Sequence, residues 1–597
     1  MNKYSYLIIF STIFMYSCTT VEITNNAIEK ELILEIDENQ KFIEYLDSDW
    51  EKTLVNNPLF ATYTGDKRFN NKINPNTIEQ FNKDRIANLE SLRKLNSINF
   101  DKLNEDNKLN YSLKKFDIES DLNLSQFPTY YLRLNQRGGI QSFYETGNRL
   151  VYQSKQDYYD WLSRLNQFSK NILTFLEINK LGLQNGYTQP KLVTQGVISQ
   201  IDAIINSNID SNPYLKVFIE ADENLLSQNE KNDLINSAKE VIINKINPAY
   251  TELNEFLKND YLVNSRNTIG IKDIPDGKKY YEHLAKHYTT TNLTPDEIHN
   301  IGLKEIKRIR SEMEQIIKSV NWDGDFDSFL NYLRTSPRFY YDNPDDLFDA
   351  YLIMSKTIDP LLPKLFNVFP RAPYGVIPIP SESAPFTTTA YYNSPSPGRP
   401  GYFYANLYKP DSRPKYEIPV LTVHEAVPGH HFQISLAQEL ENVPTFRKYQ
   451  GITAFVEGWG LYSEELGEYI NLYDDPYDKF GQLTYDMWRA IRLVVDTGMH
   501  YKNWTRDDAI NLFIENSAKS ILDIENEVDR YIAWPGQALA YKIGQLKILE
   551  LRNKAETELG DKYDIKEFHD EVLKRGSLPL DLLEFYIDEW INQTLNS

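Results

Sequence analysis

The first half of the chain carries apolar residues at intervals of three and four positions, with polar residues between them. This spacing recurs from about residue 30 to 260, for example at Phe42, Leu46 and Trp50. Apolar positions that repeat with the period of an α-helix predict amphipathic helices. The region shows no concentration of chemically reactive side chains, so we interpret it as a structural helical lobe.

A helix start stands out in segment 289–313. Thr294 has the side chain of an N-cap, and Pro295 stands at the first helical position. Asp296 and Glu297 follow in the first turn, where negative charge favours the positive end of the helix dipole. Proline lacks the N–H that the first turn leaves unpaired. The pattern therefore predicts a helix that begins at Pro295.

The spacing changes between residues 371 and 408, which are rich in Pro, Gly, Thr and Tyr. Short runs between turn residues predict strands, which either form a structural hairpin or offer an edge to an extended peptide. Helical spacing resumes near residue 417. The predicted fold is mainly α with one small β-sheet. It has an N-terminal helical lobe over 41–290 and a second lobe over 291–597 that contains the sheet.

Composition narrows the function classes. Acidic side chains outnumber basic ones by 85 to 64, for a net charge of −21. With no Lys/Arg-rich run to neutralise phosphates, nucleic-acid binding is excluded. One cysteine cannot form an internal disulfide, a Cys-ligated zinc site or an iron–sulfur cluster. Any metal must therefore be bound by carboxylates and by some of the eight histidines.

The single cysteine follows an export signal. Residues 1–17 combine Lys3 with an apolar stretch too short to span a membrane as a stable helix. The end of this stretch resembles a bacterial lipoprotein cleavage box, in which Cys18 becomes the lipidated first residue. Residues 18–40 would then tether the protein to a membrane of the cell envelope. The alternative is a plain signal peptide with an incidental cysteine. No later segment approaches ~20 consecutive apolar residues, so no transmembrane helix is predicted.

Three of the eight histidines fall in one short window, LTVHEAVPGHHFQ, as His424, His430 and His431, with Glu425 after the first. Helical zinc sites commonly use His-Glu-x-x-His, in which the histidines lie one turn apart and the Glu faces zinc-bound water. On a regular helix His424 and His430 would point about 240° apart, and His431 would lie about 10 Å from His424. An undistorted helix therefore cannot bring either pair to one ion.

Pro428 and Gly429 change that geometry. Proline inside a helix removes a hydrogen bond and clashes with the preceding turn, and glycine permits the bend that this requires. If the two extra residues bulge out, His430 returns to the position of a second ligand. The alternative is a helix that ends at Pro428, with the histidines in a loop.

A third ligand is available downstream. The segment ITAFVEGWGLYSEELGEY has a helical pattern and carries Glu457, 27 residues after His430. Zinc bound by His424, His430 and Glu457 keeps a fourth position for water, as a catalytic site requires. Glu425 would be the general base. Glu464 follows seven residues after Glu457 and has three alternative interpretations. It could hydrogen-bond a ligand histidine from the second shell, it could be an exposed acid, or it could replace Glu457 as the third ligand.

Several segments of the chain resemble a large bacterial family of zincin-like proteins, long described only as a domain of unknown function, with many lipoprotein members. The segments that carry the resemblance are HEAVPGHHFQ, FVEGWGLYSE and VDRYIAWPGQALAYKIGQLKI. TPDEIHNIGLKEIKRIRSEM and RPGYFYANLY match it too, so the resemblance covers most of 40–590. More distantly, the ligand arrangement is similar to helical gluzincin peptidases such as thimet oligopeptidase, angiotensin-converting enzyme and thermostable bacterial carboxypeptidases. Those peptidases carry the motif His-Glu-x-Gly-His, and the motif of this chain looks like it with two residues inserted. The resemblance implies a two-lobed helical metallopeptidase around a deep channel.

Further candidate residues lie on two predicted helices. In QLTYDMWRAIRLVVDTGMH, Arg492, Asp496 and His500 share a polar face. Asp496 could orient His500 as an oxyanion donor, or both could belong to a structural ion network. After Trp534-Pro535-Gly536, Tyr541 is our first choice of oxyanion donor and Tyr531 the second. Candidate anchors for a substrate carboxylate are Arg530 and Lys542. Arg492 and His431 are candidates for the second shell or for substrate binding.

These features predict a Zn²⁺-dependent metallopeptidase that hydrolyses peptides by metal-activated water, as an oligopeptidase or a carboxypeptidase-like enzyme. Zinc hydrolysis of another amide, in modified or cell-wall peptides, is the first alternative. A non-catalytic lipoprotein that binds zinc or peptide is the second. Substrate length, endo- or exopeptidase preference and oligomeric state stay open.

Overall fold

The computed structural model describes residues 37–381 and 383–597. As the sequence pattern predicts, the fold is mainly α with one small sheet. None of the helices in these residues is long and apolar enough to cross a membrane. The predicted signal peptide and Cys18 lie outside the described residues. The first described helix begins at Glu38, within the range 18–40 that is predicted as a tether, and the tether stays a prediction.

The N-terminal half is a succession of helices. Its α-helices are α1 Glu38–Asn56, α2 Pro58–Tyr63, α3 Ile78–Leu95, α4 Glu105–Leu124, α5 Phe143–Arg149, α6 Lys155–Gln184, α7 Lys191–Ile205, α8 Lys216–Ile219, α9 Gln228–Val241, α10 Asn247–Phe256, α11 Leu262–Asn264 and α12 Gly277–Thr289. Two π-helical turns, Ile242–Ile246 and Leu257–Tyr261, connect α9 to α10 and α10 to α11. Buried side chains between Leu134 and Tyr261 form a core of their own.

The second half contains the remaining helices and the sheet. The helices are α13 Pro295–Ser319, α14 Phe326–Thr335, α15 Pro344–Ile358, α16 Ile418–Glu425, α17 His430–Gln438, α18 Thr445–Tyr449, α19 Thr453–Leu466, α20 Pro476–Tyr501, α21 Arg506–Asn516, α22 Ile521–Ala533, α23 Ala540–Leu559, α24 Ile565–Leu573 and α25 Leu580–Asn596. The helix start at Pro295 is confirmed, because Thr294 and Glu297 form a capping box.

The sheet lies in the segment where strands are predicted. Its strands are β1 Tyr374–Pro378, β2 Ala390–Asn393 and β3 Gly401–Ala405. The central strand β3 pairs parallel with β1 and antiparallel with β2, so β2 is an edge strand. Alternate residues of β3 are buried, as the two-residue period of a half-buried strand requires.

The two halves do not have fully separate cores. Leu109 and Leu113 of α4 belong to a core that is otherwise built from residues 347–591. An N-terminal helix therefore packs into the second half, and the predicted boundary at residue 290 stays a prediction.

Close helix contacts position the elements that carry the candidate site. At Gly458 of α19 a Cβ would lie 2.6 Å from the backbone of Gly544 in α23, so the two helices cross closely because both residues are glycine. At Gly302 of α13 a Cβ would lie 2.7 Å from Val494 of α20. These contacts fix α19 against α23 and α20 against α13.

Candidate metal centre

The predicted interruption of the histidine helix is present. Helix α16 ends at Glu425, four residues form a turn, and α17 begins at His430. The N–H of Gly429 donates to the carbonyl of Val423, which closes the turn over the end of α16. A Cβ at residue 429 would lie 1.9 Å from the carbonyl oxygen of His424, so glycine is required there. The alternative, with both histidines in a loop, is wrong because His430 starts a helix.

The turn brings three predicted ligands together. One ligand atom from each of His424, His430 and Glu457 lies within 4.8 Å of the other two. The two imidazole rings are 4.7 Å apart and nearly perpendicular, at 81°. His430 Nε2 lies 3.4 Å from Glu457 Oε2. Two ligands about 2.1 Å from one tetrahedral ion are separated by about 3.4 Å, so the spacing fits zinc.

An unsatisfied polar atom also fits a bound cation. Oε2 of Glu457 is buried and has no hydrogen-bond partner within the described part of the chain. A buried polar atom without a partner costs about 1–3 kcal/mol. The donor set is two imidazoles and one carboxylate, which is a common ligand set of catalytic zinc.

Gly460 packs against the ligand histidines. A Cβ at this position would lie 2.9 Å from Cε1 of His424 and 3.1 Å from Cε1 of His430, closer than the 3.5–4.0 Å of favourable carbon contacts. We expect Gly460→Ala to push the rings apart and to weaken zinc binding by roughly 10–100-fold, as loss of orienting contacts does. Competition with a chromogenic chelator measures the affinity.

The matched control for that substitution is Gly451→Ala, because a Cβ at residue 451 meets nothing within 4 Å. Its zinc affinity should equal that of the wild type. Equal affinity in Gly460→Ala as well would show that the two rings do not form the site.

Glu464 supports His424 from the side away from Glu457. It is fully buried, and its Oε1 lies 2.8 Å from His424 Nδ1 and 3.2 Å from Arg489 Nη2. Burial raises the pKa of Glu464 to about 8. The interpretation as an exposed acid is therefore wrong. A carboxylate on one ring nitrogen orients the histidine and directs its other nitrogen to the ligand site.

A small cavity of about 100 Å³ lies beside His424 and Glu425. Glu425 is 7% exposed, and burial raises its pKa to about 7. The start of the edge strand β2, with Thr388 and Thr389 before it, forms one wall. Glu425 thus faces a protected space next to the ligand triad, where a general base is needed.

Tyr541, the first choice of oxyanion donor, lines the same cavity. Arg530 Nη2 donates to its hydroxyl oxygen at 3.2 Å. The Tyr541 hydroxyl is also within hydrogen-bonding range of Glu457 and contributes to lowering the pKa of that carboxylate against the effect of burial, together with His430. Tyr541 is therefore in reach of a group bound at the triad.

The structure contradicts two predicted roles near this site. Tyr531 donates its hydroxyl proton to Glu527 at 2.7 Å and accepts from Arg492 at 2.8 Å. Unlike Tyr541, it does not line the cavity, so it is not in reach of an oxyanion there. His500 accepts from the N–H of Ile271, and its Nε2 contacts the carbonyl of Tyr531 at 2.9 Å. Burial lowers the pKa of His500 to about 3. With both nitrogens engaged by backbone, the ring cannot serve an oxyanion.

Three further predicted groups are structural. Asp496 accepts from the Tyr281 hydroxyl and from the N–H of Gly536, not from His500. Lys542 is fully buried and binds Asp486 at 2.5 Å and Glu305 at 3.1 Å, so it cannot anchor a substrate. His431 contacts the Tyr392 hydroxyl and the Ala372 carbonyl, which fastens α17 to the sheet and removes it from the site.

The cavity also contains residues that the sequence analysis missed, namely Tyr485, Trp488, Lys519, Asp523 and Glu527. A signal was present in helix α22, where Asp523, Glu527 and Arg530 follow at four- and three-residue spacing among apolar neighbours. Charges at helical spacing on an otherwise apolar face indicate a polar cavity.

Comparisons with known proteins agree with this fold. The sequence matches the family described as "Bacterial protein of unknown function (DUF885)" over residues 58–587. No curated protein matches it. It is similar to "the putative lipoprotein from Colwellia psychrerythraea", with 28% identity and a TM-score of 0.88 over 94% of this chain and 100% of that chain. It shares its fold with "a putative lipoprotein of unknown function from Shewanella oneidensis", with 17% identity and a TM-score of 0.70 over 92% and 99% of the two chains.

Proposed function

Because the chain belongs to the bacterial DUF885 family, whose function is unknown, we propose a function from the site itself: a zinc-dependent hydrolase of peptide bonds. The observation that carries the proposal is the convergence of His424, His430 and Glu457 within 4.8 Å, with Glu425 and a cavity beside them. Two histidines and a carboxylate would bind zinc, and the adjacent glutamate would supply the base.

The residues of this chain have distinct tasks in such a reaction. Zinc in this site would supply Lewis acidity, which activates water and polarises a carbonyl. Glu425 takes a proton from the attacking water, whose oxygen bonds to the carbonyl carbon. The C–N bond then breaks, and Glu425 returns the proton to the leaving nitrogen. Tyr541 stabilises the developing negative charge on the carbonyl oxygen by donating a hydrogen bond.

The edge strand supports a peptide as the substrate. The chain leading into β2, Thr388 to Ala390, borders the cavity that contains His424 and Glu425. An extended peptide can add to an exposed sheet edge through main-chain hydrogen bonds. Such pairing would present one peptide bond to the base. Gly398, in the turn between β2 and β3, does not line this cavity and packs against Gln153 of the N-terminal half.

We place the enzyme in the bacterial cell envelope. The two structural relatives are each described as a "putative lipoprotein", and Cys18 follows an apolar leader segment in this chain. Lipid chains on Cys18 would anchor the protein by burying methylene groups in a membrane. Peptides of the envelope would then be its substrates.

The test of this function is cleavage of a mixed synthetic peptide pool by the purified protein, followed by mass spectrometry. We expect new fragments that disappear with a chelator and return when zinc is added. Cleavage confined to cell-wall or modified peptides would favour the broader zinc amide hydrolase. Zinc binding without any cleavage would favour a non-catalytic binding protein and would contradict the proposal.

A further inference from the structure

Charged side chains of both signs line the cavity beside Glu425. Four are cationic, Arg489, Arg492, Lys519 and Arg530, and three are acidic, Glu425, Asp523 and Glu527. The first three cations are at most 6% exposed, and the side chain of Arg530 is 14% exposed. Burying several cations around one small space is costly unless each has a partner. Their pairing therefore shows whether the protein itself satisfies them.

The available carboxylates do not satisfy every cation. Lys519 pairs with Glu417, and Arg489 with Glu464 at 3.2 Å. Glu527, however, is shared, since it lies 3.0 Å from Arg492 and 3.3 Å from Arg530.

Two buried guanidinium nitrogens are left over. Arg492 Nη1 and Arg489 Nε have no hydrogen-bond partner within the residues that the structure describes. The guanidinium group of Arg492 packs over the ring of Tyr541, with Arg492 Cζ 4.2 Å from the ring centroid, and this contact holds the guanidinium plane in place. A fixed guanidinium with an unused donor at a cavity is arranged to bind an anion from outside the chain.

The size and position of the cavity limit that anion. The cavity volume of about 100 Å³ is smaller than the cavity of about 150 Å³ that holds a benzene molecule in another protein. The space accommodates a carboxylate with a small side chain, not a long peptide. It also adjoins His424 and Glu425, so the anion lies close to the bond under attack.

We infer that the cavity binds the free C-terminal carboxylate of a peptide through Arg492, with Arg489 and Arg530 nearby, and that the enzyme removes one small residue at a time. This inference rests on the proposed peptidase function and deepens it to a carboxypeptidase. In the reaction, water adds to the carbonyl carbon of the penultimate residue, the C–N bond breaks, and the released residue leaves with its amine protonated through Glu425.

The experiment compares two peptides that differ only at the end, N-blocked Ala-Ala-Ala as the free acid and as the C-terminal amide. Wild-type zinc-loaded protein should cleave the acid with a kcat/KM about 100-fold higher than the amide, because only the acid offers a carboxylate for charge-assisted hydrogen bonds. Equal rates on acid and amide would overturn the inference and leave the peptidase function standing.

Arg492→Lys tests the assigned side chain, because lysine keeps the charge and loses the planar pair of donors. The acid-to-amide ratio should fall below about 10, mainly through KM. An equal loss on both peptides would assign Arg492 to the oxyanion or to structure and overturn the inference. Arg85→Lys, on the exposed surface of α3, is the matched control and should keep both rates.

Binding separates failure of the inference from failure of the proposed function. Calorimetry with zinc-loaded Glu425→Gln protein measures affinity for the acid and the amide without turnover. Acid-selective binding that is lost in Glu425→Gln/Arg492→Lys supports the subsite even if no peptide is cleaved. The absence of selectivity overturns it.

Discussion

Replacing Glu425 with Gln is expected to lower peptide hydrolysis by a factor of about 10²–10⁴ while zinc stays bound. The side chain keeps its size, but the amide cannot take a proton from water or return it to the leaving nitrogen. Glu425 is not one of the three converging ligands, so the metal should be retained. The measurement is kcat/KM on one cleaved peptide, with zinc content determined on the same sample.

The matched control for Glu425→Gln is Glu465→Gln. Glu465 is half-buried in the second half of the chain, but it accepts a hydrogen bond from Gln545 and does not line the cavity. Its hydrolysis rate should stay close to that of the wild type, because Glu465 does not line the cavity in which the reaction takes place. Full activity in Glu425→Gln would remove this residue from the mechanism.

Loss of any one of the three ligands is expected to abolish stoichiometric zinc binding. His424→Ala, His430→Ala and Glu457→Ala each leave only two protein donors, which is fewer than structural or catalytic zinc sites use. Glu464→Gln should behave differently, because Glu464 faces Nδ1 of His424 rather than the triad. Removing a second-shell carboxylate weakens metal binding by about 10–100-fold without eliminating it. Metal analysis after dialysis against trace chelator distinguishes the two results.

The comparison of Glu457 with Glu464 also has an outcome that contradicts our assignment. If Glu457→Ala kept one zinc per chain and Glu464→Ala lost it, the third ligand would be Glu464. The burial of both carboxylates makes circular dichroism on each variant a necessary control. A variant that keeps wild-type helicity and lacks zinc has lost the site and not the fold.

The sequence was informative wherever local geometry controls the outcome. The capping residues around Thr294 defined where α13 begins, because an N-cap and a proline act within one turn. The Pro428-Gly429 pair indicated that the histidine helix must be interrupted, because only a break brings residues six apart to one point. The required glycine at 429 then has a physical reason in its contact with the His424 carbonyl.

The sequence was less informative for residues whose roles depend on tertiary partners. His500 and Asp496 share a helix face at a spacing that suggests a pair. Instead, His500 accepts a hydrogen bond from the N–H of Ile271, and Asp496 accepts one from the N–H of Gly536. Lys542 and Arg530 were equivalent candidates for an anchor. Lys542 cannot be an anchor, because it is buried in ion pairs with Asp486 and Glu305. Arg530 lines the cavity and stays a candidate. No local pattern encodes which distant segment approaches a side chain.

The most direct test of the central claim is the location of zinc in crystals of the protein grown with zinc. Diffraction data collected on either side of the zinc absorption edge give an anomalous difference map. We predict one strong peak about 2 Å from nitrogen atoms of His424 and His430 and from a carboxylate oxygen of Glu457. A fully occupied peak elsewhere, or none at the triad, would contradict the account.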